Sequence, residues 1–221
     1  VRPTGGHRPV TVADAPSASH NAAVEIIPGD VSGGTNTSHT IVVSALAALL
    51  DAVPADATEV AYEAAAIDGN VLGKATEGSR RRTFRYLREL YLLRPDSLLF
   101  RALRDLWAVD VEARPLLAGL CALARDAVFR ASSDAILQTR VGETLTAATL
   151  AGAVGQHFPN SYSTATLAKI GRNTFSSWEQ TGHLADAERP AKVRTRPTCR
   201  PADVAYAVLL GHIQGVRGLA L

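Results

Sequence analysis

From Thr37 onward, apolar residues recur at three- and four-residue spacing, the period of one helix face, interrupted by proline and glycine. Thr37 or Ser38 can cap a helix running to about Ala52, stopped by Pro54. Asp56 or Thr58 caps a second, to about Ile67, which Asp68-Gly69-Asn70 ends. A third is predicted from about Thr76 to Leu93, with Phe84, Leu87 and Tyr91 forming a core stripe beside a basic stripe of Arg81, Arg85 and Arg88. After Pro95, Asp96 or Ser97 caps a fourth helix to about Val109, with Leu99, Leu103, Leu106 and Trp107 on one face. Asp110 caps a fifth, from Val111 to about Ala131, and a short sixth covers about Asp134 to Thr139. Residues 1–36 lack this periodicity and are rich in glycine and proline. They read as a mostly disordered leader in which Ala23 to Ile27 is the one apolar patch able to dock.

The pattern changes in the last third. Gly142 precedes a predicted helix from about Glu143 to His157, Pro159-Asn160 makes a turn, and Ser161 or Ser163 caps a long helix to about Gln180. Thr181-Gly182 ends it, since glycine accepts the left-handed conformation at a helix C-terminus. His183-Leu184-Ala185 reads as a short strand, and Lys192 to Arg196 alternates charged and β-branched residues as a half-exposed strand does. A final helix follows from Pro201 to about Gln214. The expected fold is therefore mainly α: a helical bundle over 37–131, then a winged-helix (helix-turn-helix) unit with a small β wing and a final helix over 132–221.

In such a unit the second long helix is the recognition helix. One face, Leu167, Ile170, Thr174 and Trp178, is apolar. The other carries Thr166, Lys169, Arg172, Asn173 and Ser176, donors suited to phosphates and base edges in a major groove. Lys192, Arg194 and Arg196 of the wing would reach backbone phosphates or a minor groove. Arg81, Arg85 and Arg88 of the third helix are a rival DNA-contacting surface, and for both sets a solvated polar face and a protein-docking surface remain open.

Net charge is only +2, too small to argue for a nucleic-acid partner by itself, but its distribution is uneven. Residues 1–75 carry net −5, residues 76–94 net +4 and residues 143–221 net +3. Aromatics are only 5%, and alanine and leucine dominate the apolar set, which favours helix over strand. The longest apolar stretch, Thr40 to Leu50, is short of the roughly 20 residues needed to span a bilayer. The N-terminus lacks the pattern of a secretory signal, so a cytoplasmic setting is expected. Cys121 lies in an apolar run and is expected to be a buried small hydrophobe. Neither it nor Cys199 belongs to a metal or redox motif.

No catalytic motif is present. The six histidines are scattered, with no pair at ligand spacing, and no strand precedes nor lysine follows the glycine-rich stretch Gly29 to Gly34. Neither an enzyme nor a cofactor is expected.

Asn70-Val71-Leu72-Gly73-Lys74, Thr76 and the arginine-rich helix Arg80 to Tyr91 resemble the early part of the BrxA-like proteins of bacteriophage-exclusion (BREX) phage-defence systems. Leu99-Phe100-Arg101-Ala102-Leu103, the helix around Arg125, and Ser163-Thr164 through Leu167, Arg172-Asn173 and Trp178 to Gly182-His183-Leu184 are similar in arrangement, so the resemblance spans roughly residues 40–215. It implies an all-helical protein that binds double-stranded DNA without a catalytic centre and acts beside larger phage-defence proteins. A helical adaptor in the same system and a winged-helix transcriptional regulator are the alternatives.

Overall fold

The computed structural model describes residues 25–188 and 190–216. In chain order the elements are α1 (Val43–Ala52), α2 (Glu59–Ile67), α3 (Glu77–Tyr91), α4 (Leu98–Val109), α5 (Arg114–Arg125), α6 (Ala127–Ala131) and α7 (Ser133–Gln138). Then come β1 (Thr144–Leu145), α8 (Ala147–His157), α9 (Thr164–Gln180), β2 (Leu184–Asp186), β3 (Lys192–Arg194) and α10 (Pro201–Ile213). The fold is mainly helical, with one small antiparallel sheet in the order β1-β3-β2. No described helix is long and apolar enough to cross a membrane.

Helix starts that depend on a neighbouring side chain fall where expected. Thr76 Oγ1 accepts the Ser79 N–H at 3.2 Å, Ser97 Oγ accepts that of Phe100 at 3.1 Å, and Ser163 Oγ accepts that of Thr166 at 3.2 Å. Each satisfies an amide with no partner inside its helix.

Starts set by distant groups do not. The first helix begins at Val43 rather than next to Thr37, because Thr35–Thr37 forms a 3-10 turn and Val42 adopts a left-handed conformation at φ 50°. The amides that follow are taken by α9: Ser177 Oγ accepts from Ile41 and Gln180 Oε1 from Val43 at 2.9 Å.

The predicted fifth helix is split. Val111–Ala113 is a 3-10 turn capped by Asp110, and the helix breaks at Asp126, whose carboxylate caps the Phe129 N–H at 2.9 Å. Asp126 is fully buried and also accepts the backbone N–H and side-chain amide of Asn36 at 2.7 and 3.1 Å. Burial raises its pKa, and these donors oppose that rise.

Asn36 joins three segments. Its side-chain oxygen accepts from Ser177 Oγ at 2.7 Å and its backbone carbonyl accepts from the Asn173 amide at 3.0 Å. Gly34 beside it is at φ +144°, and a Cβ there would lie 2.3 Å from an Asp126 carboxylate oxygen, so only glycine fits. Upstream, the Glu25 carboxylate accepts from Ser97 Oγ and the Leu98 and Leu99 amides, and Arg130 donates to the Ile27 carbonyl at 2.6 Å. Residues 25–36, expected within a disordered leader, are thus a strap bound across the helices. Residues 1–24 of that leader lie outside the described residues.

One apolar core runs across position 131. Tyr62, Tyr91, Phe100, Trp107, Trp178 and Tyr206 all belong to it. The final helix α10 packs on α4 and α5, where Tyr206 donates to the Leu99 carbonyl at 3.1 Å. A second, smaller core of Val128, Val154, Phe158 and Ile170 joins α6, α8 and α9. The α8–α9 crossing is close at Gly171, where a Cβ would lie 2.3 Å from the Ala147 carbonyl oxygen. Cys121 is buried, and burial pushes its thiol pKa up to about 11, so it acts as a small hydrophobe.

Candidate nucleic-acid interface

The last third contains a strand that periodicity did not reveal. Thr144–Leu145 pairs with β3 in the register Thr144 to Val193 and Leu145 to Lys192. On its other side β3 pairs with β2, Ala185 opposite Val193. The predicted helix from Glu143 therefore starts later, at Ala147, where Thr146 and Thr149 form a reciprocal cap. Two residues are too few to show alternation, so only pairing with β3 defines the strand.

Helix α9 lies on α8 through Ile170, Gly171 and Thr174. Its exposed strip begins at Ser163 and continues through Ala165, Ala168, Lys169 and Arg172. No acidic residue occurs between Glu143 and Glu179, and among the described residues neither Lys169 nor Arg172 forms an ion pair. Thr166 and Ser176 are half-buried at its margins. Asn173 is committed inward by its bond to Asn36, and Ser176 accepts from Gln180 at 3.5 Å.

Two wing cations are engaged inside the fold. Lys192 bonds Glu179 of α9 and, at 3.2 Å, Asp186 of β2, with its ammonium 5.7 Å from the Phe175 ring centre. The carboxylates outweigh burial and raise its pKa. Arg194 donates to the Ile136 carbonyl at 3.0 Å and the His183 carbonyl at 3.3 Å, tying the sheet to α7. Burial, then the charge of Arg194, lowers the His183 pKa to about 4. Arg196 alone of the three is exposed, and it forms no ion pair among the described residues.

The α3 stripe is likewise paired. Arg81 meets Glu77 at 2.7 Å, Arg85 meets Glu89 at 3.9 Å, and Arg88 meets Glu59 of α2 at 3.6 Å, with every partner about half exposed. Such pairs contribute about 0–1 kcal/mol each, but they cancel the local charge.

The structure instead gathers Lys169 with two cations, Lys74 and Arg82, that the sequence did not single out as contacts. Ser79, Arg82, Thr83 and Tyr86 share one face of α3 and line a cleft of about 490 Å³. Lys169 of α9 lines it from the other helix, and Lys74 completes its basic wall. Ser38 and His39 also border it. Among the described residues none of these cations is ion-paired, and no carboxylate lines the cleft. The His39 ring lies 4.9 Å from that of Tyr86. Its Nδ1 accepts the Thr40 N–H at 2.9 Å, which leaves Nε2 to carry the proton of the neutral ring. Burial lowers the His39 pKa, and the charges of Lys74, Arg82 and Lys169 lower it further. One sequence signal separates the arginines of α3: Arg81 and Arg85 have glutamates four residues away, whereas Arg82 has Gly78 and Tyr86.

Among the described residues, no cluster of three or more His, Cys, Asp or Glu is placed to hold a metal ion. No family model matches the chain, and no curated protein is significantly similar to it.

Proposed function

We propose that the chain binds double-stranded DNA through a winged-helix unit formed by α7, β1, α8, α9, β2 and β3, with α9 as the recognition helix. The observation that carries this reading is the exposed strip of α9, where Lys169 and Arg172 form no ion pair among the described residues and lie within an acid-free stretch of chain. The order helix, strand, helix, helix, strand, strand and the β1-β3-β2 sheet accord with such a unit. Arg196 extends the same basic character beyond the sheet. We place the protein, on the strength of the resemblance over residues 40–215, as a non-catalytic accessory of a BREX-like phage-defence system, with larger defence proteins as partners.

The test is duplex binding as a function of salt. Neutralising phosphates releases counterions, so affinity should fall steeply between about 50 and 200 mM salt. A gel shift showing no complex at low salt removes the reading.

An adaptor role is the second reading. It is favoured by an apolar groove of about 540 Å³ between α5 and α10, whose lining includes Leu116, Leu120, Leu123, Val204 and Val208. Capture of defence proteins independent of DNA, abolished by charged substitutions at Val204 and Val208, would support it.

A further inference from the structure

The cleft between α3 and α9 has a composition that the α9 strip does not explain. Three cations from three separate places in the chain, Lys74, Arg82 and Lys169, line one concavity. Like charges repel, so bringing three together with no carboxylate among the described lining residues raises the energy of the unliganded protein. The rest of the wall offers donors rather than acid: Ser38, Ser79 and Thr83 supply hydroxyls, and His39 supplies a ring N–H. Elsewhere on α3 the chain neutralises its arginines with glutamate, at Arg81 and Arg85, within one turn of this cleft. Cations and hydroxyl donors around one cleft, with no competing carboxylate among the described residues, are the complement of a tetrahedral oxyanion.

We propose that this cleft is a phosphate-binding site, which takes one phosphoryl group between Lys74, Arg82 and Lys169. It shares Lys169 with the DNA reading but does not depend on it, since the other ligands belong to α3 and to the segments before α1 and α3. The phosphoryl group comes either from the backbone of a nucleic acid lying along α9 or from a free phosphorylated small molecule. At about 490 Å³ the cleft falls within the range of small-molecule sites, so both sources fit. His39 reports occupancy. A bound anion offsets the three charges that lower its pKa, so that pKa rises on binding.

The full chain is titrated with inorganic phosphate, with a nucleoside monophosphate and with a short duplex, following the His39 ring, Ser79 and Thr83 by NMR and duplex affinity by anisotropy. The expected result is a saturable shift of these resonances with a rise in the His39 pKa, and a loss of about tenfold in affinity for the active probe in Arg82→Gln and in Lys74→Gln. Arg85→Gln is the matched control and should leave both readouts unchanged. A response to duplex alone assigns the site to backbone phosphate; a response to phosphate or the mononucleotide assigns it to a small molecule. Phosphate binding without duplex binding leaves the site standing and removes the DNA reading. Duplex binding that Arg82→Gln and Lys74→Gln leave at the native level, with no response to the small probes, overturns the site and leaves the DNA reading intact. Silence from all three probes overturns both.

Discussion

Arg81 and Arg82 are neighbours on α3, a little over a quarter of a helical turn apart, yet they have opposite surroundings. Arg81 is held by Glu77, and Arg85 and Arg88 on its side of the helix are held by Glu89 and Glu59. Arg82 lines a cleft with Lys74 and Lys169 and meets no carboxylate among the described residues. The C-terminal unit repeats the contrast. Lys192 and Arg194 are tied to α9 and α7, whereas Lys169, Arg172 and Arg196 form no ion pair among the described residues. Basic residues thus form two populations, one that holds the fold together and one with charge left for a partner. A count of arginines along the chain does not separate them, because what distinguishes them is the acceptor each meets.

Charge reversal in the second population tests this division most severely. Lys169→Glu with Arg172→Glu should weaken duplex binding by about 1,000-fold at low salt, about 4 kcal/mol, since two attractive contacts become repulsive. It should also lower the salt slope by about two phosphates. Equal binding by the double variant and the native chain would erase the distinction.

The next effect belongs to the first population. His183 is largely buried and lies near the charge of Arg194, and its pKa of about 4 in the folded chain is below the ordinary value of 6.5. The unfolded chain therefore takes up that proton first. The stability linked to His183 is complete above about pH 6.5 and is lost as pH falls toward 4, on the order of 3 kcal/mol. Denaturation in urea at several pH values checks this: His183→Gln should flatten the loss across that window relative to the native chain.

Arg194→Ala should cost about 2 kcal/mol of stability, because the Ile136 and His183 carbonyls each lose a charged donor. Duplex affinity measured well below the melting temperature should change by less than about threefold if Arg194 acts as an internal tie rather than a phosphate contact. A tenfold fall in affinity with a native melting curve would move Arg194 into the second population.

The smallest effect is expected from replacing Arg81, Arg85 and Arg88 together with glutamine. Their exposed pairs should cost less than about 1 kcal/mol in sum, and duplex affinity should fall by less than about threefold. A large loss of binding would show that the glutamates release these arginines to DNA.

Much of this arrangement was legible along the chain, and the limit has a physical cause. The exposed face of α9 could be read from its period, which places Lys169 and Arg172 opposite Ile170 and Trp178. The cleft could not. Lys74, Arg82 and Lys169 line one cleft only when α3 and α9 are both set against the turn Thr35–Thr37, and His39 reaches them only because the chain from Asn36 to Val43 is pinned by Asp126, Ser177 and Gln180. Asn173, read as a base-contacting donor, is spent in that same pinning.

The sequence by itself determined the helical class and the helix ends whose caps are local. Thr76, Ser97 and Ser163 each satisfy an amide three residues away, and Gly182, at φ +76°, ends α9 without help from elsewhere. Tertiary structure alone decided the late start of α1, the break at Asp126, the strand at Thr144–Leu145 and the gathering of Lys74 and Arg82 with Lys169 into one cleft. In each of these the deciding hydrogen bond, strand pairing or charge joins groups far apart in the sequence, and periodicity records only which face of an element is buried, not which partner buries it.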